Sequence, residues 1–372
     1  MRLVLLTAAL AAALTGCASA PASPPDPLPS PAPIPAPAPA PAPAPTPTPV
    51  AAAVRPDAAG VLTISGRTGL TISGPLTVKK LLVEKSSKIT FRNVTFAADL
   101  VAAGVVNGAS DPKTIYPFVV TGSDHVTFID PEFRSDPAGT AATLPSLLSC
   151  YRSSFVTISG GSFHDAHDAI QHLYCDNLTV AGAPGAPIAF YNLQADAIRG
   201  GGDSHVHVSW IFAHDNHQAD LTAQPDHPDV DQGWSLSIDP KLTASGDGSV
   251  SDWSFDHVTL IQGKGRQQHG MFWRADFPGF NFPLHGLTVT NSRLEGVDDA
   301  IYVRIAQDVD IENNVLVGYC GDPLTAHAAI NLGQITGSLT IKGNQAGAYI
   351  LDGKNVAPPA GNTALACVTP AP

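Results

Sequence analysis

The sequence predicts an all-β solenoid, a single folded domain made of strand–turn–strand units stacked one upon another. Three observations lead to it. Short segments that alternate apolar and polar residues recur along the chain at a drifting spacing of about 20 to 50 residues. Most segments are broken by Asn, Gly or Ser, residues that tolerate tight or left-handed turns. Helical periodicity is nearly absent, and a unit this short cannot bury its own apolar face unless a neighbour stacks on it.

In chain order, the first element is a leader. Arg2 supplies a positive charge, and Leu3 to Leu14 form an apolar run too short to span a membrane. The run ends in Leu14-Thr15-Gly16-Cys17, which resembles the lipobox of bacterial lipoproteins. That resemblance implies cleavage before Cys17, a diacylglycerol on its thiol and, because Ala18 and Ser19 follow, delivery to the outer membrane or its periplasmic face. The alternative is an ordinary signal peptide cut near Ala20. Within a linker at residues 18–55, the stretch from Pro21 to Pro49 is largely Pro-Ala alternation and holds nearly half of the 34 prolines. It can form neither helix nor sheet, and reads as a polyproline spacer on the order of 90 Å long.

The repeats fill residues 56–372. They include Ile89-Thr-Phe-Arg-Asn-Val-Thr-Phe96, Val126-Thr-Phe-Ile-Asp-Pro-Glu-Phe133, Val156-Thr-Ile-Ser-Gly-Gly-Ser-Phe163, Leu287-Thr-Val-Thr-Asn-Ser-Arg-Leu294 and Val309-Asp-Ile-Glu-Asn-Asn-Val-Leu316. A propeller would need four antiparallel strands per blade and a tighter period. The pattern resembles the right-handed parallel β-helix superfamily that contains pectate lyases and polygalacturonases, over roughly residues 60 to 350. The resemblance implies a single-stranded right-handed parallel β-helix of about nine or ten coils.

A second recurring element follows the turns: His167-Asp-Ala-Ile-Gln171, Ala195-Asp-Ala-Ile-Arg199, Pro228-Asp-Val-Asp-Gln232, Gln268-His-Gly-Met-Phe272, Asp298-Asp-Ala-Ile-Tyr302 and Ala328-Ala-Ile-Asn331. If these positions are equivalent, their side chains stack about 4.8 Å apart. Gln171, Arg199, Gln232, Phe272 and Tyr302 then point outward. Two residues further on, so do Trp234, Arg274 and Arg304. Amide, guanidinium and aromatic groups in one ribbon suit a glycan, because flat rings stack on sugars and Arg forks grip carboxylates. Asp168, Asp196, Asp229 and Asp299 form another column. Like charges so close need an offset: a raised pKa, Arg199 nearby, or a cation such as Ca²⁺ held by Asp168, Asp196, Asp229 and Asp231. The alternative is that each Asp caps its own turn. Asp231 occupies the slot that elsewhere holds Ile, so either it is buried with a partner or a bulge re-aims it outward.

The densest constellation is Gln224-Pro-Asp-His227-Pro-Asp229-Val-Asp231-Gln-Gly-Trp234, which resembles the His-x-Asp-Gly-x-Gln segments of lyase-like members of the superfamily. Val230 stands where those have Gly. The chemistry it implies is β-elimination on a uronate, which needs a base, a cation for the developing dianion and a proton for the leaving oxygen. His227 and His269 are candidate bases. Arg199, Lys264, Arg266 and Arg274 are candidate cations, and Asp196 and Asp229 complete the catalytic set. Val297-Asp-Asp-Ala-Ile301 resembles the paired-Asp strand of polygalacturonases and keeps glycoside hydrolysis open, without the companion Gly-His-Gly and Arg-x-Lys motifs.

The net charge is −12 and 14% of residues are charged, which argues against a nucleic-acid partner. A lone glycan-binding or adhesive role is the rival to catalysis, and the chain is expected to be a monomer that meets a membrane only through a lipid. With Cys17 lipidated, Cys150, Cys175, Cys320 and Cys367 remain. The even number permits disulfides, and Cys150 and Cys175 lie about one period apart, within reach of a bridge between neighbouring coils.

Overall fold

A computed structural model describes residues 54–99, 116–135, 146–216, 229–234, 250–262, 269–275, 284–321 and 327–369, with the backbone alone at Trp234. The segment expected to be a leader, Cys17 and most of the proline-rich stretch lie outside these residues. Residues 52–372 form one compact unit, and among the described residues there is no helix.

The domain is a parallel β-helix with three faces. On the first face, Val61–Ser65 pairs with Lys80–Glu84, which pairs with Phe118–Thr121. The ladder continues through residues 148–151 and 170–173, Ile198–Gly201, Asp231–Trp234, Met271–Arg274, residues 301–304 and 330–333, and Ala348–Leu351. The second face runs from residues 68–73 through residues 87–92, Asp124–Ile129 and onward. The third runs through residues 94–98, Glu132–Ser135, Ser162–Ala166 and Ile188–Leu193. Pairing between coils is parallel, and an antiparallel hairpin, Ala348–Leu351 with Lys354–Val356, lies near the C-terminal end.

Alternation within each strand sends one set of side chains into a continuous core. The second Phe of each Val-Thr-Phe-type repeat stacks on its counterpart one coil along. Ring centroids are 4.4 Å apart for Phe96–Phe133, 4.7 Å for Phe133–Phe163 and 5.1 Å for Phe163–Phe190. A neighbouring pair, Phe91–Phe128, stacks at 5.0 Å. The corners are made by left-handed residues, as the Asn and Gly breaks foretell: Asn93 (φ 51°), Gly160 (φ 69°), Asn291 (φ 52°) and Asn313 (φ 59°).

Corners inside the core are tied by side-chain ladders. Asn344 Oδ1 accepts from the Asn314 backbone N–H at 3.0 Å and its side-chain amide at 2.9 Å, while Asn344 Nδ2 donates to the Ile311 carbonyl at 2.7 Å and to Asn362 at 2.9 Å. Ser86, Ser123 and Ser153 make a shorter ladder of the same kind. Disulfides join Cys150 to Cys175 and Cys320 to Cys367. The first links neighbouring coils, because Cys150 lies opposite His172 and Cys175 opposite Ser153.

The longer connections border the first face in sequence. Segments 100–115, 136–145, 217–228, 263–268 and 322–326 fall between third-face and first-face strands, and 235–249 and 276–283 fall between first-face and second-face strands. Corners from the second face to the third take none of these, which makes the first face the variable side of the fold.

Candidate functional site

The first face has the register the sequence predicts. Gln171, Arg199, Gln232, Phe272, Tyr302 and Asn331 lie opposite one another coil by coil. Trp234, Arg274 and Arg304 form the parallel row two residues on. Ile170, Ile198, Met271, Ile301 and Ile330 take the inward slot and are fully buried.

Along the edge where the chain enters this face, Asp168, Asp196 and Asp229 are stacked and only 1% exposed. Each carboxylate caps the next coil: Asp168 Oδ1 accepts the Asp196 backbone N–H at 3.2 Å, and Asp196 Oδ1 accepts that of Asp229 at 3.1 Å. Gln232 donates to Asp229 at 3.3 Å. Arg199 reaches back one coil to both oxygens of Asp168, at 3.2 and 3.3 Å, and lies 3.9 Å from Asp196. His167 at 3.0 Å and the Ser146 hydroxyl complete the shell of Asp168.

The repulsion within this column is relieved in two ways. Burial alone would raise the Asp168 carboxyl, but Arg199, His167 and Ser146 hold it well below the usual carboxylate range. Asp196 goes the other way: burial, then Asp229 and Asp168, push it well above that range. The Asp168 charge in turn raises the Arg199 guanidinium further, against the effect of burial. Tyr116, buried beside this cluster, is pushed up to about 12 by burial. The oxygens of Asp168 are thus spent on the Asp196 backbone, Arg199, His167 and Ser146, and Oδ1 of Asp196 on the Asp229 backbone; among the described residues no group of three or more acidic, His or Cys side chains is arranged to hold a metal.

Asp231 does not join the column. It stays in the inward slot, fully buried, and its Oδ2 accepts the Trp273 indole N–H. Burial lifts its carboxyl to about 7, against His172 and the indole. Of the two readings of this exception, a buried partner rather than a bulge is what the fold uses.

Higher on the face, Phe272 and Tyr302 stack at 4.6 Å with planes 12° apart. Their facing surfaces are therefore spent on each other. Arg304 covers Tyr302 from 5.0 Å and donates to its hydroxyl at 2.9 Å. The pair offers edges and a hydroxyl rather than two open sugar platforms. His269 sits edge-on to Phe272 at 5.0 Å and near Tyr302 at 6.4 Å. Asp298 and Asp299 are half-buried and raised chiefly by that burial, and Asn331 donates to Asp299 at 3.1 Å. His227, Lys264, Arg266 and the Trp234 side chain lie outside the described residues.

Sequence reasoning passed over Ser146 and Tyr116, which with His167 support the acidic column. His167 immediately precedes Asp168 and was legible as part of the repeat. Ser146 and Tyr116 lie 22 and 52 residues before Asp168, and nothing local marks them.

Arg199 is consequently both a surface group and the counter-charge of a buried carboxylate. Replacing it with Leu is expected to destabilise the domain by about 3 kcal/mol, because Asp168 would be left buried without its cation. Urea unfolding at neutral pH checks this. The deficit should shrink as acid protonates Asp168, since a depressed carboxyl stabilises above its unfolded value and loses that contribution as pH falls.

No family model matches this chain, and no curated protein matches its sequence. Among solved structures it is similar to PfbA, a surface adhesin of Streptococcus pneumoniae, with 12% identity over 79% of this chain and 72% of that chain and a TM-score of 0.49. A likeness at that level carries no argument about what this chain binds.

Proposed function

We propose that this chain is an exported glycan-binding protein that holds an extended polysaccharide along its first face. The observation that supports this is the row of Arg199, Gln232 and Tyr302, aligned coil by coil and interrupted by Phe272, with the largely buried Gln171 and Asn331 at its two ends. Neighbouring coils lie about 4.8 Å apart, a spacing suited to a polymer whose hydroxyls also repeat. Asp168, Asp196 and Asp229 beside them are sunk below the surface, which leaves Arg199 and Gln232 as the polar groups those coils present. Two disulfides suit an oxidising, extracytoplasmic compartment.

Affinity electrophoresis in gels cast with neutral or uronate-containing polysaccharides tests the reading. At least one polymer should retard the protein, and Tyr302→Ala should weaken that retention about tenfold, the loss of one well-placed contact. Migration unchanged by every polymer, or equal retention of the variant, would count against it.

A second reading, β-elimination by a polysaccharide lyase, is favoured by one observation. The His269 imidazole lies against the Phe272–Tyr302 pair, where a base for the proton next to a uronate carboxylate would be needed. In that reading Arg199 answers the carboxylate, with His227, Lys264 and Arg266 as further contributors and Ca²⁺ as a possible requirement. Ultraviolet absorbance from unsaturated product, measured with and without chelator, distinguishes a lyase from a binder and from a hydrolase.

A further inference from the structure

The interior beneath the strands that carry Gln171, Arg199 and Gln232 is not wholly apolar. His172 follows Gln171 and so points inward, in register with Gly200, Gly233 and Trp273. A Cβ at Gly200 would lie 2.6 Å from Cγ and Nδ1 of the His172 ring, so this glycine is what admits the imidazole. His172 Nδ1 lies 2.5 Å from Asp203 Oδ2, with both side chains 0% exposed. The other oxygen of Asp203 accepts the Cys175 backbone N–H, and its carbonyl accepts the Trp253 indole at 3.0 Å. Asp231, which lies two coils from Ile170 in the ladder, is held on Oδ2 by the Trp273 indole. His172 Nε2 and Asp231 Oδ1 are both buried without a hydrogen bond.

One buried carboxyl therefore bonds the imidazole directly, and Asp231 adds a weaker electrostatic pull. A neutral ring donating from Nδ1 would satisfy an ionised Asp203 in geometry but leave its charge uncompensated in the interior. A doubly protonated ring cancels that charge. Burial raises the Asp203 carboxyl, and the imidazole and the Cys175 N–H oppose that rise. We propose that His172 is a proton-operated lock, a buried imidazolium that ties its own strand to the coil of Asp203 and lets go when alkali removes its proton.

The electrostatics run in the same direction. Burial pulls the imidazole down, but Asp203 and then Asp231 push it up, and it ends above the ordinary histidine value. A base raised in this way contributes stability that is complete below its unfolded value, about 6.5, and is lost as pH rises through the folded one. The strands it joins carry the outward residues of the first face, so release of the lock would reach the ligand row from below. The lock stands independently of the glycan reading, and its test uses no ligand.

The test compares urea unfolding of the full chain and its His172→Gln variant from pH 6 to 9. Above about pH 6.5 the ratio of their folding equilibrium constants, wild type over variant, should fall about tenfold per pH unit until the folded value is reached. A ratio that does not change with pH overturns the proposal. Nitrogen-15 NMR of the native wild type at pH 6, below the ordinary histidine value, provides a readout that survives a variant unable to fold. Two protonated ring nitrogens on His172 are expected, and a neutral-ring signature overturns the lock.

Discussion

Replacing Phe133 with Ala is expected to cost about 3–5 kcal/mol and to lower the melting temperature by about 10 °C. Phe133 is fully buried and sits in the middle of the column, with Phe96 on one side at 4.4 Å and Phe163 on the other at 4.7 Å. It also meets Phe118 and Phe128 edge-on, each at 5.5 Å. The cavity cannot collapse, because each neighbouring ring is fixed to its own coil by the backbone ladder and the coils cannot approach more closely than the strand spacing. Phe133→Leu should recover most of the loss, since it restores volume if not ring stacking. Thermal unfolding followed by circular dichroism of both variants measures the difference; equal melting temperatures for wild type and Phe133→Ala would mean that the column contributes little.

Asn344→Ala should be nearly as damaging, at about 3 kcal/mol or more, for a different reason. No large cavity forms, but the buried Ile311 carbonyl loses its 2.7 Å donor and the Asn314 backbone N–H its 3.0 Å acceptor. Each buried polar group left unpaired costs roughly 1–3 kcal/mol. Asn344→Asp separates the two losses, because a carboxylate still accepts from Asn314 but repels the Ile311 carbonyl. Denaturant titration should place it below wild type at neutral pH, and hydrogen exchange should show the Asn314 amide protected in it but not in the Ala variant. Fast exchange at Asn314 in both would show that the ladder does not hold that corner.

The parts of the fold that were legible in the sequence are those encoded within one strand. Alternation in Ile89-Thr-Phe or Val126-Thr-Phe fixes which side chains turn inward, and Asn93 or Gly160 marks where the chain bends. Repetition of the Asp-Ala-Ile tripeptide was enough to place Gln171, Arg199 and Gln232 opposite one another. What stayed hidden depends on the neighbouring coil. Asp231 looked anomalous, but its partner Trp273 lies 42 residues on, and His172 finds Asp203 31 residues on. Connections of different lengths intervene, and alternation does not count them. Asn313 and Asn314 are adjacent and look alike, yet the first turns the chain at a left-handed φ of 59° and the second is a fully buried ladder rung. The candidate site divides similarly: its row of outward groups was readable, whereas the commitment of Asp168 to Ser146 and of Tyr302 to Phe272 and Arg304 appears only when the coils are stacked.

The Cys320–Cys367 bond spans 47 positions of chain and encloses the last rungs, from residues 329–342 to Thr363–Ala364. Repeat arrays fray from their ends, where a rung has one neighbour instead of two. Here the final rungs are closed into a loop whose far end is fastened back on the body. A protease that nicks this stretch once would leave both fragments on the same molecule, still stacked, and separable only after a reductant has opened the loop.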